Sequence, residues 1–458
     1  MQHQSRFTAG FSMFVGTLVL VAATTAQRPG DVSLASLDLA RMRVQIVAGG
    51  RGGAPPANVA QANKAIDGRA IRIGGKEFAE GVGTRATSVL FVNLAGGAAR
   101  FTAMVGVDDN APPTPASGAT APTTAPPPTP IVFRPVRAPD GTMLTNKKFP
   151  NMKSLGDYIH AKGLQFGIYS GPGPTTCQRL EASWQHELQD FQTFASWGVD
   201  YLKYDWCGYS SVLATGEVNT QLPVLKRPYQ VARTALNQVK RDIIYSLCQY
   251  GWGNVWEWGA EKGIEGNSWR TTGDITDTWE SMNGIGFRQV GNSKYASPGH
   301  WNDPDMLVIG KVGWGPRLRD SELTANEQYI HITLWTLLAS PLLLGNDLTQ
   351  MDDFELNLVT NDEVLAVHQD PLGKPADRVA RNGELEVWSR PLTDGSLAVG
   401  LFNRDEMDMP VSVKWSELGI KGKHTVRDLW RQKDVGKFDG EFSRVIPRHG
   451  TLFVKVSL

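Results

Sequence analysis

From residue 149 to residue 344 the sequence alternates helical periodicity with short apolar runs, and this repeat constrains the fold more than any other feature. Met152, Leu155 and Ile159 share one helical face, Gly163 closes that helix, and Leu164 to Tyr169 reads as a strand. Trp184, Leu188, Phe191 and Phe194 repeat the spacing, Gly198 stops it, and Val199 to Tyr204 is the next strand. Tyr229 to Val239 predicts a helix ahead of strand Ile243 to Leu247. The capping pattern Thr324-x-x-Glu327 opens a helix to Leu338, before an apolar strand at Pro341 to Leu344. Strand-helix units of this size build a parallel sheet, most economically a (β/α) barrel.

The flanks differ in pattern, and 458 residues are too many for one ordinary domain. Residues 1–26 carry Arg6, an apolar run from Phe11 to Ala23 and small residues before Gln27, the pattern of a signal peptide. That run is shorter than a bilayer-spanning helix, so the expectation is a secreted or periplasmic protein with no membrane partner after signal cleavage. Residues 27–110 read as short β segments with glycine turns, among them Ile71 to Ile73, Ser88 to Leu94 and Arg100 to Val107. Residues 111–137 are a Pro/Thr/Ala-rich linker or insertion, with a returning strand at Ile131 to Arg134. The barrel pattern occupies 138–372, and the alternation of Leu385, Val387, Leu397, Val399 and Leu401 around the Asp394-Gly395 turn predicts an antiparallel β domain over 373–458. The fold class is therefore multidomain α/β plus all-β.

Composition narrows the partner. Lys+Arg and Asp+Glu are balanced at 46 each, which removes any general attraction for nucleic acid or anionic membrane and favours a neutral polar ligand. Three cysteines permit one disulfide and exclude a four-thiolate zinc site.

Chemistry in such a barrel sits at the C-terminal ends of the strands. Lys203-Tyr204-Asp205-Trp206-Cys207 ends one strand in a charged pair; a packing ion pair is the plainer account, but burying charge is costly. Trp269-Arg270 with Asp274 forms a second group, which alone could be a loop with ordinary acids. Trp301-Asn302-Asp303-Pro304-Asp305 is a third, which alone could cap a turn. Three acidic strand ends beside Trp and Tyr point to a sugar site.

Here a resemblance becomes specific. YLKYDWC (201–207), GLQFGIYSGPGPTTC (163–177), HWNDPDMLVIG (300–310), SPLLLGNDL (340–348) and HQDPLGK (368–374) together resemble glycoside hydrolase family 27, the melibiase or α-galactosidase family. The resemblance implies retaining exo-hydrolysis of terminal α-D-galactosyl residues, with Asp205 as nucleophile and Asp274 as acid/base. It implies sugar contacts at Tyr169, Lys203, Gln249, Arg270 and Asp305, and a disulfide between Cys177 and Cys207. No metal or organic cofactor is required, and an α-galactoside is the expected partner; the oligomeric state is not indicated. Lys203 beside Asp205 favours the carboxylate needed for attack, and Asp274 is expected to be protonated through partial burial or its partner's charge. At the N-terminus, IRIGGKEFAEGVGTRATSVLFVNL (71–94) and Gly106-Val107-Asp108-Asp109 resemble a sandwich-like carbohydrate-binding module of bacterial glycosidases.

Two departures stand out. Family barrels begin with a W-N-S-W-type strand and a second strand ending in an aspartate pair, and no room for these units exists between Arg134 and Pro139. The expectation is a (β/α)8-type barrel lacking its first two strand-helix units, with strands starting near Leu164, Val199, Ile243, Trp269, His300 and Pro341. Gln249-Tyr250 also stands where the family has Glu-Trp. The competing functions are another family glycosidase, such as a β-L-arabinopyranosidase, and a catalytically impaired carbohydrate-binding protein.

Overall fold

The computed structural model describes residues 60–65, 68–85 and 137–457 except 314–317, with the backbone of short strands at 17–21, 43–46, 88–91 and 104–107. The Pro/Thr/Ala tract and the returning strand expected at 131–134 lie outside the described residues, as does most of the signal segment. The chain divides into two units, Met1–Ile131 and Val132–Leu458.

Among the described residues the first unit is all β. Its strands are β1 (Thr17–Val21), β2 (Arg43–Ile46), β3 (Ala60–Ala62), β4 (Ile71–Ile73), β5 (Lys76–Phe78), β6 (Val82–Arg85), β7 (Ser88–Phe91) and β8 (Met104–Val107). One sheet runs β3-β6-β1-β8, while β2 pairs with β7 and β4 with β5. The β4–β5 turn requires positive φ at Gly74 and Gly75, 60° and 78°, which a side chain would oppose. β1 falls inside the apolar run read as a signal segment and pairs antiparallel with β6 and β8.

In the second unit α1 (Met152–Ala161), β9 (Gly167–Ser170), α2 (Glu187–Ser196), β10 (Tyr201–Asp205), α3 (Leu222–Leu236), β11 (Ile244–Cys248), α4 (Val255–Trp258), β12 (Ser268–Arg270), α5 (Trp279–Gly286) and β13 (Trp301–Asp303) alternate, with the short helices α4 and α5 added to those the periodicity predicts. The five strands form one parallel sheet in the order β13-β12-β11-β10-β9. Phe191 and Phe194 of α2, with Leu225 and Tyr229 of α3, share a core with Leu202, Tyr204, Tyr245 and Leu247 of the sheet. Each such side chain contributes about 1.5–3 kcal/mol by leaving water. Parallel register then carries polar residues to one end: Lys203 lies opposite Tyr169, Asp205 opposite Cys248, and Arg270 opposite Asp303.

The sixth expected strand, Pro341 to Leu344, does not form. A single parallel bridge joins Leu344 to Leu307, beyond the end of β13. The physical reason lies on both sides: Pro341 has no N–H to donate, and Pro304 with the left-handed Asp305 (φ 87°) breaks the strand it would extend. Among the described residues β9 and β13 each have one neighbour, so this sheet is open.

β14 (Lys311–Val312) and β15 (Arg319–Asp320) form a small hairpin before α6 (Ala325–Leu337), α7 (Asp353–Thr360) and α8 (Asp362–His368). α6 starts at Thr324 with the expected reciprocal capping hydrogen bonds to Glu327. It is buried on almost every side, because it packs on β18 (Leu397–Asn403) and β23 (Gly450–Ser457) of the C-terminal domain. That domain pairs β16 (Asp377–Asn382), β17 (Leu385–Pro391), β18, β23, β20 (Lys423–Asp428) and β21 (Lys433–Asp439) in this order, with β19 (Met409–Lys414) and β22 (Glu441–Ile446) as a second antiparallel pair. Val387, Val399 and Leu401 face the interior of this domain as their alternation predicts. The intervening residues of β18 are also buried, since α6 covers them; a Cβ on Gly400 would meet Leu337 at 2.6 Å.

One polar cluster fastens this packing. His449 is 1% exposed, stacks on Trp279 with centroids 3.8 Å apart, and places Nδ1 2.7 Å from the fully buried Glu327 carboxylate. Its Nε2 lies 3.2 Å from Glu406. Removing one partner of a buried pair leaves an uncompensated charge. His449→Ala is therefore expected to cost about 3–5 kcal/mol of stability, measured as a lowered guanidinium midpoint; a midpoint equal to that of the unaltered protein would refute the clamp.

Candidate active site

Asp205 closes β10 and is 5% exposed. Its carboxylate is held from two sides: Tyr169 Oη donates to Oδ2 at 3.0 Å and Tyr250 Oη to Oδ1 at 2.7 Å. The Cys207 amide adds a longer contact to Oδ1 at 3.3 Å. Burial, reinforced by the negative charge of Asp205, pushes both phenols well above their ordinary range, so they act as neutral donors. Lys203 projects from the same face of β10, with Nζ 6.0 Å from the Tyr169 ring centre. Burial alone would lower its pKa, but surrounding negative groups, Asp305 and Asp205 among them, hold it above the usual lysine value. Among the described residues no direct Lys203–Asp205 ion pair forms; their attraction acts at longer range.

Arg270, at the tip of β12, is 2% exposed. Nη2 meets Asp305 at 2.8 Å and Asp274 at 3.1 Å, and Nη1 lies 3.6 Å from the Cys248 sulfur. Burial opposes its charge, yet the acids around it keep its pKa above the ordinary arginine value. Asp305 also accepts the Ile275 amide at 2.8 Å, and its backbone carbonyl accepts Trp335 Nε1 at 2.7 Å. These contacts hold Asp305 in its left-handed conformation. Asp303 is 1% exposed, and burial raises its pKa against the pull of Arg270.

One expectation needs revision. The Asp274 side chain is 72% exposed, so the partial burial expected of it is absent. It stands on the loop after β12, outside the packed core, tied to the buried Arg270. Gln249, by contrast, is fully buried at the end of β11, and neither amide atom has a protein partner. Such an amide offers a donor and an acceptor to a bound hydroxyl or water.

The cysteines pair as the resemblance implied. Cys177 and Cys207 form a disulfide with Cα atoms 5.1 Å apart, and Cys248 is free and buried. Asp205 and the two sulfurs place ligand atoms within 4.8 Å of one another, but the sulfurs are spent on each other, so no thiolate pair remains for a metal. Tyr250 Oη sits 3.2 Å from Cys207 Sγ and 3.7 Å from Cys177 Sγ, and its ring leans on Trp252, centroids 5.3 Å apart. Tyr250 and Asp303 are the site residues to which the sequence pattern alone assigned no role.

A cavity of about 1030 Å³ lies at the opposite end of the sheet, among Asp200, Arg241, Ile243, Asn267 and His300. Of its acids, Asp200 is paired with Arg241 and His160 and Glu265 with Arg233, and the cavity lies at the N-terminal ends of the strands, away from the acidic tips.

With Asp205 at the tip of β10 and Asp274 on the loop after β12, comparison with known proteins is decisive: residues 136–370 match the family model described as Alpha galactosidase A. The chain belongs to the α-galactosidases of glycoside hydrolase family 27. The α-galactosidase of Cyamopsis tetragonoloba is 42% identical over 318 residues, covering 68% of this chain and 72% of its own. The crystal structure of α-galactosidase I from Mortierella vinacea aligns with a TM-score of 0.63 at 31% identity, over 70% of this chain and 84% of that one. A family 27 β-L-arabinopyranosidase from Geobacillus stearothermophilus aligns with a TM-score of 0.58 at 28% identity, over 67% and 78%. In this α-galactosidase residues 382–456 match the family's C-terminal beta sandwich domain, and residues 46–121 match the NPCBM/NEW2 domain.

Proposed function

We propose that this α-galactosidase removes terminal α-D-galactosyl residues from oligosaccharides or polysaccharides with net retention, Asp205 attacking and Asp274 serving as acid and then base. The observation that carries the assignment is the environment of Asp205: a buried carboxylate at a strand tip, steadied by two phenols. A retaining hydrolase needs its two carboxyls about 5–5.5 Å apart, one on each side of the anomeric carbon. The exposed Asp274, tethered by Arg270, fits the proton-exchanging partner, with the bound sugar itself supplying the cover that the free protein lacks. Lys203, Arg270, Asp305, Tyr169 and Gln249 are assigned to the sugar hydroxyls.

Activity is expected to be weak. The chain is taken to lack the first two strand-helix units of a (β/α)8 barrel, a reading supported by β9 and β13 each having one neighbour among the described residues. The lost aspartate pair would have gripped two hydroxyls, and hydrogen bonds to charged groups contribute about 1.5–3 kcal/mol each. Turnover about a hundredfold to several thousandfold below a complete relative follows. One observation supports a second sugar: Gln249 replaces a charged acceptor with a neutral amide, which favours testing the β-L-arabinopyranoside beside the α-galactoside. Sugar binding without turnover would instead select the impaired binding protein.

Export is part of the same reading, with a mature start near Gln27. Cleavage there would remove β1 from its place between β6 and β8. Intact mass of the exported protein decides this: a chain beginning near Gln27 is expected, and a retained Met1 would refute it.

For the activity itself, the purified chain, its Asp205→Asn variant and a chimera carrying the two missing units are compared on nitrophenyl α-galactoside. The expected order is chimera above unaltered chain, with Asp205→Asn inactive. Family-level activity in the unaltered chain would overturn the claim of impairment, and activity surviving Asp205→Asn would overturn the assignment of the nucleophile.

A further inference from the structure

The two oxygens of Asp205 are not equivalent. Oδ1 receives Tyr250 at 2.7 Å and the Cys207 amide at 3.3 Å, whereas Oδ2 receives Tyr169 alone at 3.0 Å. Tyr169 is 38% exposed and can turn its hydroxyl toward an arriving sugar. Tyr250 is less free to leave, because it is fixed on three sides. Its backbone is left-handed at φ 66°, its ring packs on Trp252, and its hydroxyl rests against both sulfurs of the Cys177–Cys207 bridge. A non-glycine residue in that backbone region is uncommon and persists where surrounding contacts impose it.

Resting on the assignment of Asp205 as nucleophile, we propose that Tyr250 is a positioning residue that reserves Oδ1 as the non-attacking oxygen and stabilises the Asp205 carboxylate when the glycosyl ester breaks. In the first half-reaction Oδ2 bonds to the anomeric carbon, the glycosidic C–O bond breaks, and the leaving oxygen takes the Asp274 proton. Oδ1 becomes the ester carbonyl and keeps the Tyr250 hydrogen bond. In the second half-reaction water gives a proton to the Asp274 carboxylate and bonds to the anomeric carbon. The C–Oδ2 bond breaks and its electron pair returns to Asp205. A donor on Oδ1 favours the charged carboxylate over the neutral ester, so it helps this release step more than the attack.

The other groups facing Asp205 are Tyr169 from β9, Lys203 on β10 itself, Tyr229 from α3 and Cys248 on β11. Lys203 alone among them is cationic, so Tyr250 supplies the hydrogen bond and Lys203 the long-range charge. Losing a hydrogen bond to the charged form makes protonation easier, so in Tyr250→Phe the acid limb of kcat/KM shifts to higher pH.

The test uses the full chain and a slow-turnover substrate, 5-fluoro-α-galactosyl fluoride, with the galactosyl-enzyme followed by intact mass. Tyr250→Phe is expected to accumulate the ester and release it about tenfold more slowly, to shift the acid limb up by about one pH unit, and to lower kcat and KM together, since a slower release step lowers both. Tyr250→Leu, which keeps an apolar side chain but has no donor, should behave likewise, with retained circular dichroism showing that both variants fold. Unchanged release and an unchanged acid limb in folded Tyr250→Phe would overturn the inference while leaving Asp205 as nucleophile. An ester forming in Asp205→Asn, or none forming in the unaltered chain, would overturn the underlying assignment and the inference with it.

Discussion

The site is organised by one buried cation. Arg270 is 2% exposed at the tip of β12, and a guanidinium removed from water is tolerated only when its charge and donors are met. Asp305 and Asp274 meet them at 2.8 and 3.1 Å, and Asp303 contributes at longer range. This demand accounts for features that are otherwise costly: the left-handed backbone of Asp305, the charge-opposing burial of Asp303, and an exposed acid held at a fixed place. Two strands along the sheet, β10 faces the same problem with the opposite sign, where the buried Asp205 is met by two phenols with Lys203 behind them.

These two strand tips are aligned because the strands are parallel and in register, and the helices keep them so. Phe191, Phe194, Leu225 and Tyr229 bury one face of the sheet, and the remaining helices continue toward α6. α6 is enclosed by the C-terminal domain, and Trp335 on it reaches the carbonyl of Asp305. The conformation of Asp305 therefore depends on a helix that the C-terminal domain holds in place. That domain is a structural support of the site as well as an appended module.

Much of this was legible in the sequence where an element buries one face only. α1, α2, β10 and β11 fall within a few residues of the positions their apolar spacing predicts. α3 begins at Leu222 rather than near Tyr229, because the helix runs through Pro228, a residue that ordinarily marks a break. β9 starts at Gly167 instead of Leu164, whose side chain is 63% exposed despite being apolar. The strand expected at Pro341 failed because apolar character says nothing of whether a neighbouring backbone is free to pair. At the site, strand ends named Asp205, Arg270 and Asp305 through their motifs. Tyr250 was hidden because its hydroxyl reaches Asp205 only through an uncommon backbone conformation. The exposure of Asp274 was hidden because its loop position, rather than its neighbours in sequence, decides its burial.

The central claim is that Asp205 forms a covalent bond to the sugar, and stereochemistry tests it most directly. Proton NMR during hydrolysis of nitrophenyl α-galactoside by a high concentration of the chain reads the anomer released first. Two displacements at the anomeric carbon predict α-galactose as the initial product, with the β anomer growing in only by later mutarotation. β-Galactose as the first product would mean a single displacement by water and would contradict the account.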